Sequence, residues 1–206
     1  MTKNALLLAL TAMLAAGCTD GAVAPKATAV DSTIPGGGAT AALTGTDTLR
    51  FTFVIDPSRT ITYYLGAGNT IVFPANSLCE PTRSSYGFGE WDKPCPLATS
   101  PVTIRTKAWL DREGLAHIDF DRHVRFVPTN NPAGWVMLSL YDYGASTTAW
   151  TKIAYCQNVL QSTCMDEAKV DPTLATVKNP VTGQYLRRLK HFSGYSLTSG
   201  RSSEME

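Results

Sequence analysis

The 206-residue chain carries 18 Lys and Arg against 17 Asp and Glu, for a formal net charge of +1. Hydrophobic residues make up 44% and charged residues only 17%, below the roughly 25% usual in a soluble domain. Without a basic excess to neutralise phosphates, the balance excludes a nucleic-acid binder. The apolar and aromatic content excludes a wholly disordered chain.

Residues 1–17 read MTKNALLLALTAMLAAG, with Lys3 ahead of an apolar run from Ala5 to Ala16. A permanent span needs about 20 apolar residues, so this run is too short to stay in a bilayer and has secretory proportions. Leu14-Ala15-Ala16-Gly17-Cys18 resembles the lipobox of bacterial lipoproteins, although that family prefers Leu where Ala15 stands. The resemblance implies cleavage before Cys18 and acylation of that residue with fatty acids of the palmitate type. Loss of Lys3 then leaves the side-chain charges balanced. Such a chain is anchored to a membrane without spanning it. Thr19 stands where an Asp would signal inner-membrane retention in enteric bacteria, so the bacterial outer membrane is the expected destination.

Residues 18–47 are rich in Ala, Thr and Gly, with Pro25, Pro35 and Gly36-Gly37-Gly38. No period of 2 or 3.6 persists there, and the stretch reads as a flexible tether.

From Leu49 the period is 2, the mark of half-buried strands. Leu49, Phe51, Phe53 and Ile55 share one face, and Asp56-Pro57-Ser58-Arg59 turns the chain. Ile61, Tyr63 and Leu65 make the next strand, and Gly66-Ala67-Gly68-Asn69 turns into Ile71 and Phe73. Val102, Ile104, Thr106 and Ala108 alternate with Thr103, Arg105, Lys107 and Trp109. After Asp111-Arg112-Glu113-Gly114, the segment 117–126 turns Ile118, Phe120, Val124 and Phe126 inward. Trp135–Tyr143 and Trp150–Tyr155 suggest a hairpin around Gly144, and Gln184–Leu197 a single last strand. Residues 157–183 are the least strand-like, with a short helical turn expected near Asp166–Lys169. The pattern predicts an all-β chain, an antiparallel β-sandwich of about eight or nine strands over residues 48–198, then a disordered tail at 199–206.

Cys79, Cys95, Cys156 and Cys164 remain when Cys18 is set aside. An even count in an exported chain implies two disulfides with three pairings open. Sequence neighbours are the simplest choice, giving Cys79–Cys95 and Cys156–Cys164, each worth roughly 2–3 kcal/mol by loop closure. Zinc is the rival reading, disfavoured because no Cys-x-x-Cys pair exists and His residues are few.

Two patches carry a family resemblance. Residues 66–78, GAGNTIVFPANSL, and residues 189–197, LKHFSGYSL, resemble the opening and closing strands of ZU-five-type domains, the β-sandwich modules of ankyrins and netrin receptors. The Cys79–Cys95 insertion and the stretch 157–183 depart from that pattern. Some relatives of this type cut themselves between the Phe and Ser of a His-Phe-Ser triplet. The resemblance therefore implies Ser193 as nucleophile, His191 as base and Phe192–Ser193 as the bond cut, given a strained peptide. The simpler reading is an ordinary strand with His191 and Ser193 on one face and Phe192 buried opposite.

Two further clusters carry chemistry-bearing residues. His117, Asp119, Asp121 and His123 alternate along one strand face, where at most two could reach one divalent metal. A solvated outer face is the favoured reading, with no metal. Loop 80–94, EPTRSSYGFGEWDKP, offers Tyr86 and Trp91 for stacking on a sugar beside Glu90 and Asp92, although such aromatics more often pack over the sandwich edge or make a binding surface. Two carboxylates so close on one loop seldom flank a cleft, so glycoside hydrolysis is disfavoured. No Gly-x-Ser-x-Gly elbow, P-loop or dinucleotide fingerprint is present. The expectation is an exported, lipid-anchored, non-catalytic interaction or envelope-structural module without a cofactor. Its partners would be the membrane through Cys18 and an envelope protein or glycan. Self-cleavage at Phe192–Ser193 and carbohydrate binding are the alternatives.

Overall fold

The computed structural model describes residues 48–143, 151–158 and 163–199. The leader, Cys18, the 18–47 tether, the turn around Gly144 with Trp150, and residues 200–206 lie outside the described residues. Alternating burial drives the described chain into strands β1 (Leu49–Ile55), β2 (Ile61–Tyr64), β3 (Thr70–Phe73), β4 (Val102–Leu110), β5 (Ala116–Phe120), β6 (Val136–Leu140), β7 (Lys152–Asn158), β8 (Thr163–Met165), β9 (Val177–Lys178), β10 (Tyr185–Leu189) and β11 (Gly194–Thr198). They form two antiparallel sheets, ordered β1-β4-β5-β11-β7-β8 and β2-β3-β6-β10-β9. The protein is an all-β sandwich. Among the described residues, no helix is long and apolar enough to cross a membrane.

The inward phases agree with the alternation. Phe53, Ile55, Ile61, Tyr63, Leu65, Ile71 and Phe73 are buried, as are Val102, Ile104, Thr106 and Ala108 on β4. Ile118, Phe120, Val124 and Phe126 are buried too. Phe73 sits at the centre, its ring 5.7 Å from Phe192 and 6.1 Å from each of Phe53, Tyr63 and Phe126. These tilted and edge-on contacts suit the ring quadrupoles.

Three expectations about strand limits are corrected. Trp135–Tyr143 and Trp150–Tyr155 are not a hairpin: β6 lies between β3 and β10 in one sheet, and β7 between β11 and β8 in the other. Alternation reports which side chains face the interior, but two facing sheets present the same pattern to it. The segment 184–197 is two strands, because the chain crosses from one sheet to the other at Lys190–Ser193. The strand expected over 117–126 ends at Phe120: the Asp121 N–H still reaches Arg105 O at 3.0 Å, but the Asp121 carboxylate takes the Arg105 N–H at 2.9 Å and closes the ladder. The expected turn near Asp166 is a 3-10 turn, Glu167–Lys169, capped by the Asp166 side chain. The short strands β8 and β9 flank it, which with the divided final strand raises the number above nine.

Both cystines join sequence neighbours, Cys79 with Cys95 and Cys156 with Cys164. Cys156 and Cys164 are also direct partners across β7 and β8.

Truncating the central ring tests this core. Phe73→Ala should cost about 3–5 kcal/mol in urea denaturation. Val54→Ala, on the solvent side of β1, should stay within about 0.5 kcal/mol of the parent.

Candidate functional site

The crossing segment from β10 to β11 and the cystine-closed loop 80–94 meet in one seam. The crossing is tied down by backbone bonds: Phe126 N–H donates to Lys190 O (2.8 Å) and Phe192 N–H to Val124 O (2.7 Å). Arg125, bridged to His191 across that contact, is 3% exposed. Its guanidinium turns to the loop and donates to the carbonyls of Glu90, Lys93 (2.8 Å) and Pro94 (3.2 Å). One cation thus satisfies three loop carbonyls, which would otherwise be costly to leave unpaired.

The loop's aromatic rings close over His191. Trp91 stacks on the imidazole, with centroids 3.9 Å apart and planes 18° apart. The Tyr86 hydroxyl donates to Phe192 O and lies 3.3 Å from His191 Nδ1. The Tyr86 ring stacks on His123 at 4.6 Å. Burial, with the neighbouring Tyr155 and Glu167, pushes the Tyr86 phenol well above its ordinary value.

Beneath the imidazole lies a line of charge. His191 Nε2 is 3.0 Å from Glu167 Oε1, and Glu167 Oε2 is 2.6 Å from the Arg187 guanidinium. Arg187 is 1% exposed and also donates to Ile153 O. Tyr195, fully buried, donates to His191 O at 2.7 Å, and burial again pushes its phenol up, with Glu167 adding to the effect. At the rim, Lys190 Nζ lies 2.5 Å from carboxylate oxygens of both Asp92 and Asp171. Burial acts to raise the Asp171 carboxyl, but hydrogen bonds from Lys190 and Thr173 outweigh it and hold the group below its usual range.

The residues singled out in the sequence are therefore partly reunited. Tyr86, Trp91, His191 and Phe192, taken as a loop and a separate triplet, form one cluster. The triplet is not an ordinary strand with His191 on its open face, because Trp91 and Tyr86 cover that histidine, which is 0% exposed. Ser193 is not paired with His191; its hydroxyl points to Cys156 O at 3.4 Å. Among described non-glycine residues, Ala67 and Asn76 adopt left-handed φ, both away from this bond.

The row His117, Asp119, Asp121 and His123 does not converge. Asp119 pairs with Lys107 at 3.6 Å, Asp121 accepts from the Arg105 N–H at 2.9 Å, and His123 lies under Tyr86. No group of three or more His, Cys, Asp or Glu among the described residues could hold a metal ion.

Sequence reasoning missed Glu167, Arg125 and Arg187. Arg187 had a signal, since it falls on the inward phase of Tyr185, Arg187 and Leu189. Arg125, between Val124 and Phe126, had none, because its direction depends on a loop more than thirty residues earlier.

No protein-family model, curated protein or solved structure matches the chain. The seam's chemistry is therefore read from its own atoms.

A raised phenol titrates in the unfolded chain before it does in the folded one. Stability contributed by Tyr86 is complete below the unfolded value of about 10 and falls as pH rises above it. Urea midpoints measured from about pH 9 to 12 should therefore fall for the parent protein. Tyr86→Phe should lose the hydroxyl bond at neutral pH yet show a shallower alkaline decline, the remainder coming from the other phenols that burial raises, Tyr63, Tyr143 and Tyr195.

Proposed function

We propose that the chain is an exported, lipid-anchored protein of the bacterial cell envelope, destined for the outer membrane. Its ZU-five-like sandwich serves as a non-catalytic interaction or envelope-structural module. The observation that carries this reading is that the residues available for chemistry in the seam are bonded to one another. Trp91 covers His191, the Tyr86 hydroxyl is spent on a backbone carbonyl, and Ser193 faces Cys156 O. A side chain so engaged is poorly placed to turn over an external substrate. One face of the Trp91 ring is taken up by His191 and Tyr86 packs against it edge-on, which leaves less of the ring for a glycan than a freely presented indole would offer. Two closed cystines support an oxidising destination, where such bonds form and persist. The leader and Cys18 supply the route and the anchor.

A second reading, self-cleavage, has one contact in its favour. The hydrogen bond from Tyr86 to Phe192 O draws electron density from the carbonyl that Ser193 would attack. Attack would move the Phe192 acyl group from nitrogen to Ser193 Oγ, and water would then hydrolyse the ester. The Ser193 hydroxyl would first have to leave Cys156 O and find a base.

Intact-protein mass spectrometry of material extracted from membranes separates these readings. The expected molecule begins at Cys18, carries its acyl mass, is four hydrogens lighter than the fully reduced chain and is unbroken. A chain that begins at Met1 with free thiols overturns export. A fragment that begins at Ser193 replaces the non-catalytic reading with self-cleavage.

A further inference from the structure

The outer face of the six-stranded sheet carries a row of side chains distinct from the seam. Trp109 on β4 is the cross-strand partner of His117 on β5, and His117 is the partner of Ser196 on β11. Residues directly opposite on one face approach closely, so the three side chains meet without any loop to place them. The Ser196 hydroxyl is hydrogen-bonded to His117 Nδ1. On the other side of the ring, Nε2 lies 2.9 Å from Asp111 Oδ2.

The supports of this row fix the roles of its members. Asp111 Oδ1 accepts from the backbone N–H groups of Glu113 (3.0 Å) and Leu115 (2.8 Å), so the turn holds the carboxylate in place. The Trp109 indole lies parallel to the imidazole, 5.2 Å away and 7° from coplanar, and fixes the plane of the ring. A carboxylate only accepts hydrogen bonds, so Nε2 carries a proton, and in the neutral imidazole Nδ1 then offers its lone pair to Ser196. The serine hydroxyl is therefore the donor, aimed at a base that a third group orients. That is the arrangement by which a weak hydroxyl becomes a nucleophile.

We propose that Ser196, His117 and Asp111 act as nucleophile, general base and orienting carboxylate, and that Ser196 accepts an acyl group from a small activated ester. Ser196 Oγ bonds to the acyl carbon as its proton passes to His117 Nδ1. Collapse of the tetrahedral adduct breaks the bond to the leaving alcohol, which departs with that proton. One ester is consumed, one serine ester and one alcohol form, and no electrons change hands. Asp111 stabilises the imidazolium between the two transfers.

The surroundings set the size of the group accepted. Ser196 is only 2% exposed, and the His117 side chain is 16% exposed. The serine's neighbours on that face are small: Gly194 two residues earlier on β11 and Ala154, its partner on β7. Both neighbours are buried as well, so any group taken up beside Ser196 must be as small as acetyl, and a long acyl chain is disfavoured. This assignment uses neither His191 nor Ser193 and describes one acylation of the chain itself rather than turnover, so it stands beside the non-catalytic reading of the seam and does not rest on it.

Incubating the disulfide-intact protein with p-nitrophenyl acetate tests it. One acetyl group per chain should appear on Ser196 in peptide mass spectra, with a matching burst of nitrophenolate. The same probe with a long acyl chain should label it far more slowly. General-base catalysis is worth about 10²–10⁴ in rate, so His117→Gln should slow labelling at least about 100-fold. Asp111→Asn should slow it less, with near-UV circular dichroism showing that both variants fold. Labelling of a folded His117→Gln protein at the parent rate overturns the proposal. Independently of any variant, absence of the acetyl group from Ser196 in the parent, or its even spread over other serines, also overturns it.

Discussion

Where the chain passes from β10 to β11 it carries Arg187 and His191 out of water, with the Glu167 carboxylate between them. Charges removed from water cost several kcal/mol each unless well partnered, and removing one partner from such a group costs about 3–5 kcal/mol. The neighbouring structure is arranged accordingly. The 3-10 turn capped by Asp166 holds Glu167 at the right height, β7 offers the Ile153 carbonyl, and Tyr195 donates to the backbone of His191. Residues 163–183, with two short strands and two 3-10 turns, therefore have a clear structural task. They deliver one carboxylate to the junction of the sheets.

The cystine-closed loop completes the same arrangement from above. Closing Cys79 to Cys95 limits how far the loop can wander when unfolded. A short irregular segment with few apolar residues then needs only a handful of contacts to settle. Arg125 supplies three of these, Lys190 with Asp92 another, and the two rings the rest. The seam is built from both ends of the domain, since Tyr86 and Trp91 come early in the chain and His191 late. The loop's aromatics therefore pack over the edge of the sandwich and cover His191.

The architecture was largely legible in the sequence because burial in a sandwich has a period of 2. Leu49 to Ile55 and Val102 to Ala108 announce their inner faces residue by residue. The layer to which each strand belongs was not legible. The period changes neither when β10 gives way to β11 nor between β6 and β7, and both errors in strand grouping fell there. The seam was half legible: aromatic loop and triplet were each visible, but their meeting depends on the return of Arg125 toward the loop. Tertiary placement of that kind leaves no local trace. The row of Trp109, His117 and Ser196 depends on register, and a register is fixed only once strands pair.

The lengths of the sheet edges bear on how copies of the molecule behave when crowded. An unpaired strand edge is a template on which another chain can add. Among the described residues, three of the four sheet edges are poor templates: β8 has three residues, β9 two and β2 four. The cystine across β7 and β8 further fastens one of them. The remaining edge, β1, is seven residues long and offers Arg50 and Thr52 toward solvent. Among the described edges, resistance to edge-to-edge zippering therefore falls mainly to β1 and the guanidinium it displays.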